Sequence, residues 1–135
     1  MANKSKKMEE HKKEEFHQKT EMKNGQFCAI LSYLLIGVIW YFLDKDMHND
    51  KFVKFHVKQG IILFLAGIVY AIALNIAFSM IKIITLGLLE SVFWGLFSLL
   101  SLVPWVFIVL GIINALNKNE KELPIIGKYA EKLTF

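Results

Sequence analysis

Arginine is absent from these 135 residues: all 16 basic side chains are lysine. The planar fork that grips phosphates and base edges in bidentate fashion is therefore missing, which argues against a nucleic-acid partner. Cysteine occurs once, as Cys28, so the chain can form no internal disulfide and no thiolate metal cluster. Its place at the edge of an apolar run suits a small packing role. Charge is missing from a long stretch, since between Gly60 and Asn117 only Lys82 and Glu90 carry any. There is no glycine-rich phosphate loop, no nucleophile elbow and no pair of pocketed carboxylates. Ser32, Ser79, Ser91, Ser98 and Ser101 have no base near them in sequence, so neither catalysis nor a cofactor is expected.

Apolar residues are abundant instead. They make up 55% of the chain, and the mean hydropathy is +0.43, an excess that points to lipid. The reading is an all-α, polytopic membrane protein. Its first span, 27–43, reads FCAILSYLLIGVIWYFL and ends in an aromatic belt of Trp40, Tyr41 and Phe42. The uncharged stretch then divides into 61–81 and 91–116 around the turn KIITLGLLE, giving three spans. A four-span division is the alternative. It buries Glu90 in a helix, where a carboxylate costs at least about 2.5 kcal/mol, yet it gives the cleaner lysine asymmetry. Both divisions place the C-terminus in the cytoplasm and the protein in the cell membrane.

Three domains follow. Residues 1–26 hold seven lysines and five glutamates, with Met8, Phe16 and Met22 as the only sizeable apolar groups. They form no core, so the tail is expected as a frayed solvated helix or disorder, supported by Glu9–Lys13 and Glu15–Lys19 pairs and broken at Asn24 and Gly25. No cleavable signal peptide is expected, because the start is charged. The transmembrane domain is 27–117. In its connector, Asn49 or Asp50 is placed to cap a following helix. On that helix Lys51, Lys54 and Lys58 form a stripe for lipid headgroups, while Phe52, His56 and Gln59 share the adjoining face. The last segment, 118–135, begins with a helix stop at Pro124. Ile125, Ile126, Tyr129, Ala130 and Leu133 then make an apolar stripe, read as a short interfacial helix.

Three blocks in order, FLDKD at 42–46, FVKFHVKQG at 52–60 and GIINALNKNEKELPIIGKYAEKL at 111–133, resemble the Tic-twenty-like family of small membrane proteins. The resemblance covers roughly 27–133. It puts the family signature on Asp46, Phe52, Phe55, His56 and Gln59, then on Leu123, Pro124, Gly127 and Glu131. The plant branch is an import-translocon subunit, which implies a subunit or homo-oligomer of a transport or translocation complex.

Candidate sites each have a plainer reading. His56, Gln59 and Asn75 are polar groups for a pore or partner, or else they hydrogen-bond neighbouring helices. His48 and His56 with Asp44, Asp46 and Asp50 raise a metal site, but their spacing matches no ligand motif and a wetted connector explains them. Lys82 and Glu90 are read as turn residues. Two rival functions stand beside translocation: an accessory, regulatory or immunity-type protein docking on a larger membrane partner, and a lipid-binding scaffold.

Overall fold

The computed structural model describes residues 2–135, except for the side chains at positions 2, 3, 21 and 22; Met22 of the tail's apolar set falls outside it. The elements are α1 (Ala2–Ser32), α2 (Ile36–Leu43), α3 (Lys45–Asn49), α4 (Lys51–Ile84), α5 (Glu90–Leu100), α6 (Val103–Leu116) and a single turn, α7 (Gly127–Ala130). Among the described residues two helical stretches are long and apolar enough to cross a membrane: α4, and α5 with α6 taken as one run. The expected third span is not there.

The reason lies at Tyr33 to Leu35. After Ser32 the chain makes tight turns, with Leu34 N–H donating to Leu31 O at 3.0 Å, and Leu35 takes a left-handed φ of 65°. The 27–43 run therefore doubles back as a hairpin instead of crossing. Gly37 makes the fold-back possible, because a Cβ there would overlap the carbonyl oxygen of Cys28 and the amide of Ser32. Cys28 Sγ–H points across the hairpin to Gly37 O at 3.3 Å, and Ser32 Oγ–H bonds Cys28 O at 2.7 Å. The break expected at Asn24 and Gly25 is also absent. α1 runs straight through, and Gly25 is buried, close to Asp50 and Val53 at the start of α4.

The N-terminal half of α1 stays exposed, with Met8 and Phe16 uncovered. Neither expected Glu–Lys pair closes among the described residues; Glu15 instead meets His11 at 3.7 Å, an exposed contact of little energetic weight.

The connector folds as its sequence suggests. Asp50 caps α4, its Oδ1 accepting from Phe52 N–H at 2.8 Å and Val53 N–H at 3.4 Å. Such a cap contributes about 1 kcal/mol. The interfacial helix expected before the second span is not separate from it. α4 runs unbroken for 34 residues, about 51 Å at 1.5 Å per residue, longer than the roughly 30 Å hydrocarbon layer.

Its first turns lie inside a packed head. One cluster joins Cys28, Tyr41, Met47, Val53 and Val57; a second joins Tyr33, Leu63 and Leu123. Beyond Leu63, α4 leaves the head and runs beside α5 and α6. Phe78 meets Phe97 at 5.0 Å, and Tyr70 Oη–H bonds Leu100 O at 2.8 Å. Lys82 Nζ and Glu90 Oε1, 2.7 Å apart, close the far turn. Pro104 sits in the first turn of α6, past a break at Ser101 and Leu102 where both residues keep right-handed helical φ and ψ.

The C-terminal segment differs from the expected amphipathic helix. Only Gly127–Ala130 is helical. Leu123, Gly127 and Ala130 face the protein, whereas Ile125 and Tyr129 of the expected apolar stripe are exposed.

Candidate functional site

Where α1, α4 and α6 meet the 117–126 loop, the head buries a polar junction. Ser32, His56 and Gln59 are its buried polar residues among those described, and Tyr33 stands at its centre. Tyr33 reaches it because α1 ends there, and Gly111 of α6 makes room for its ring, which a Cβ on that glycine would overlap. Tyr33 Oη lies 2.9 Å from His56 Nδ1 and 3.1 Å from Gln59 Oε1.

Gln59 Nε2–H donates to Lys121 O at 3.5 Å, which turns Oε1 toward the tyrosine. The hydroxyl gives its proton to Oε1, and Oη also lies within hydrogen-bond reach of His56 Nδ1. His56 Nε2 is buried, and the Asn119 backbone is a second polar neighbour of the imidazole. The rings of Phe52 and Phe55 stand edge-on to the imidazole, with centroids at 4.6 Å and 5.3 Å. Burial holds the Tyr33 hydroxyl above its ordinary pKa, so it stays a donor throughout the physiological range.

Two further amides tie the loop down. Asn114 Nδ2–H shares Lys121 O with Gln59, at 3.3 Å. Gln26 Nε2–H bonds Leu116 O at 2.7 Å, a carbonyl at the end of α6, and Ala115 O, which also accepts from Lys118 N–H, at 3.2 Å. The junction thus joins both ends of the span pair to α1.

The structure brings His56 and Gln59 together, as their shared helix face implies, but not with Asn75. Asn75 is exposed, and its Nδ2–H returns to Ala71 O of its own helix at 2.8 Å; the bond across the span pair comes from Tyr70. Lys58 holds its ammonium 5.5 Å from the centroid of Phe135, while Lys51 is exposed and Lys54 half-buried. Asp46 is exposed, its amide bonding Asp44 Oδ1 at 3.0 Å. Leu123 is buried, Pro124 is exposed, and Gly127 packs closely on Glu122. Glu131 meets Glu122, and this contact, more than the small burial, raises the Glu122 carboxyl above its usual pKa. No group of three metal-ligating side chains occurs among the described residues. Tyr33, Gln26 and Asn114 were not singled out from the sequence. The available signal was a tyrosine hydroxyl and two amides inside or beside apolar runs, where polar atoms need partners.

Residues 23–130 match the model of the magnetosome magnetite crystal formation proteins, MamF/MmsF. The chain belongs to the MamF/MmsF family. It is 31% identical over 108 residues to a UPF0132 membrane protein of Methanocaldococcus jannaschii, covering 80% of this chain and 83% of the relative. It is 29% identical over 106 residues to the magnetosome protein MmsF of Paramagnetospirillum magneticum, covering 78% and 84%. No solved structure matches. MamF/MmsF membership corrects the Tic-twenty-like resemblance and removes the support for a translocon role. The blocks that suggested it combine lysines, aromatics and a proline–glycine turn, which any chain uses where a surface domain passes into a membrane helix. With relatives named as membrane proteins and two apolar helices of spanning length, this MamF/MmsF protein is a helical membrane protein.

Proposed function

We propose that the chain is a non-enzymatic accessory protein of the cell membrane that works by assembly, holding its head against one face and offering its two spans to neighbours within the lipid. The observation that carries this reading is the contrast in burial. Only 6% of the apolar window of each span is covered by the chain itself, whereas the head is closed around its own core. Two helices enclose no aqueous path. What they do carry is a groove of about 400 Å³, in which Asn75, Ser98 and Ser101 sit among apolar side chains. Polar groups at that depth favour a protein partner over lipid.

All lysines except Lys82 lie on the head side of the spans, which supports a cytoplasmic head. The family's description, magnetite crystal formation in magnetosomes, brings to this chain a role on a membrane that bounds a growing mineral.

A photo-crosslinking residue placed at Asn75 in native membranes tests the reading. The expected product is an adduct to a second copy or to one defined membrane protein. Adducts to lipid alone, with a single copy in lipid discs, would remove assembly from the account.

A further inference from the structure

Between the first turns of α4 and the C-terminal segment lies a recess of about 280 Å³ lined by Lys51, Lys54, Phe55, Lys58, Glu120 and Glu131. It carries both signs of charge, yet they do not neutralise one another. Among the described residues the ion pairs are His11–Glu15 and Lys82–Glu90, and neither involves the recess. Lys58 is turned onto the Phe135 ring. Glu131 lies against another carboxyl, that of Glu122, with Lys128 offsetting their repulsion only in part. Lysines without counter-ions therefore stand beside carboxylates without a cation.

The position adds a second constraint. Lys51, Lys54 and Lys58 share one face of α4, and at the same three- and four-residue steps that face continues through Ile62, Leu65, Val69 and Ile72. Leu65, Val69 and Ile72 are exposed. A charged recess thus opens at the head of an apolar track, at the level where the chain passes from head to span. The occupant that matches it carries a phosphate, an ammonium a few bonds away, and acyl chains.

We propose that this recess binds the headgroup of an aminophospholipid, its phosphate on Lys51 and Lys54, its ammonium on Glu120 and Glu131, and its acyl chains along Leu65, Val69 and Ile72. Choline lipids fit worse, because a quaternary ammonium has no N–H to donate to a carboxylate. Glycerol headgroups supply no cation at all.

The test uses the full chain in lipid discs of phosphatidylcholine, phosphatidylethanolamine and phosphatidylglycerol with matched acyl chains, with retained lipids counted by native mass spectrometry. Phosphatidylethanolamine should be retained over phosphatidylcholine. Lys51→Gln and Lys54→Gln should each reduce that retention about fivefold. The pair Glu120→Gln and Glu131→Gln should shift preference toward phosphatidylglycerol, and Lys45→Gln, outside the recess, should change nothing. Equal retention of the ethanolamine and choline lipids, a wild-type preference for phosphatidylglycerol, or an equal effect of Lys45→Gln would overturn the proposal. Displacement by soluble phosphoethanolamine at the concentrations where the diacyl lipid binds would assign the recess to a free phosphate ester and exclude the lipid.

Discussion

Tyr33 is the side chain on which the head turns, because one hydroxyl serves two buried partners from α4. Tyr33→Phe keeps the ring against Gly111 but takes from His56 Nδ1 and Gln59 Oε1 the buried hydroxyl they share. A buried polar group without its partner costs about 1–3 kcal/mol. The variant should lose stability in that range, read as a lowered melting temperature by circular dichroism in lipid discs; an unchanged melting point would mean that the two partners find other bonds. Cys28 supports a second residue-scale expectation. Burial, helped by the charges of Asp44 and Asp50, raises its thiol from 9.0 to about 11. At pH 8 this lowers the thiolate fraction about a hundredfold relative to an ordinary cysteine, and the thiolate is the reactive form. Maleimide should label the folded protein far more slowly than the denatured chain, and equal rates would show that the α1–α2 hairpin is open.

At the scale of elements, the helix ends explain which parts of the fold could be read from sequence. Asp50, named beside Asn49 as a cap, the turn at Lys82 and Glu90, and the ends of the last two spans that flank that turn were legible, since each rests on a local signal: a capping side chain, a charge, a run of length; the start of α4 at Lys51 in place of 61 was not. The hairpin at 33–35 was not, because the left-handed residue of the reversal is Leu35, and Gly37, which the close approach requires, lies two residues on inside an apolar run. The same holds elsewhere. α4 ends with Leu86 at a φ of 50°, and α6 ends with Lys118 at 55°. At the end of α6, Asn119 N–H bonds Asn114 O at 2.9 Å and Lys118 N–H bonds Ala115 O at 3.2 Å, the double bond pattern that normally puts glycine where Lys118 stands. Lys118→Gly should therefore stabilise the protein by about 1 kcal/mol, measured as a higher melting temperature in lipid discs. A lower one would mean that the lysine side chain contributes more than its backbone strain costs. The junction was legible in part for a related reason: helix periodicity put His56 and Gln59 on one face, but their partner Tyr33 lay in a run whose fold-back the apolar pattern conceals.

For the whole molecule, the decisive feature is that the 27–43 run belongs to the head. A run of 17 apolar residues satisfies the length rule for a span, but length and composition do not register a chain reversal. Once the hairpin is seen, α1, the connector and the C-terminal segment gather on one side, and the family match over 23–130 covers the head and both spans together. Side-specific cysteine labelling tests this most directly. In a Cys28→Ala background, Lys19→Cys, Lys45→Cys and Leu88→Cys are introduced singly and probed in sealed, uniformly oriented vesicles with an impermeant maleimide. Positions 19 and 45 should label from the same side and position 88 from the opposite one. Labelling of 19 and 45 from opposite sides would mean that 27–43 crosses the membrane, and would contradict the two-span architecture.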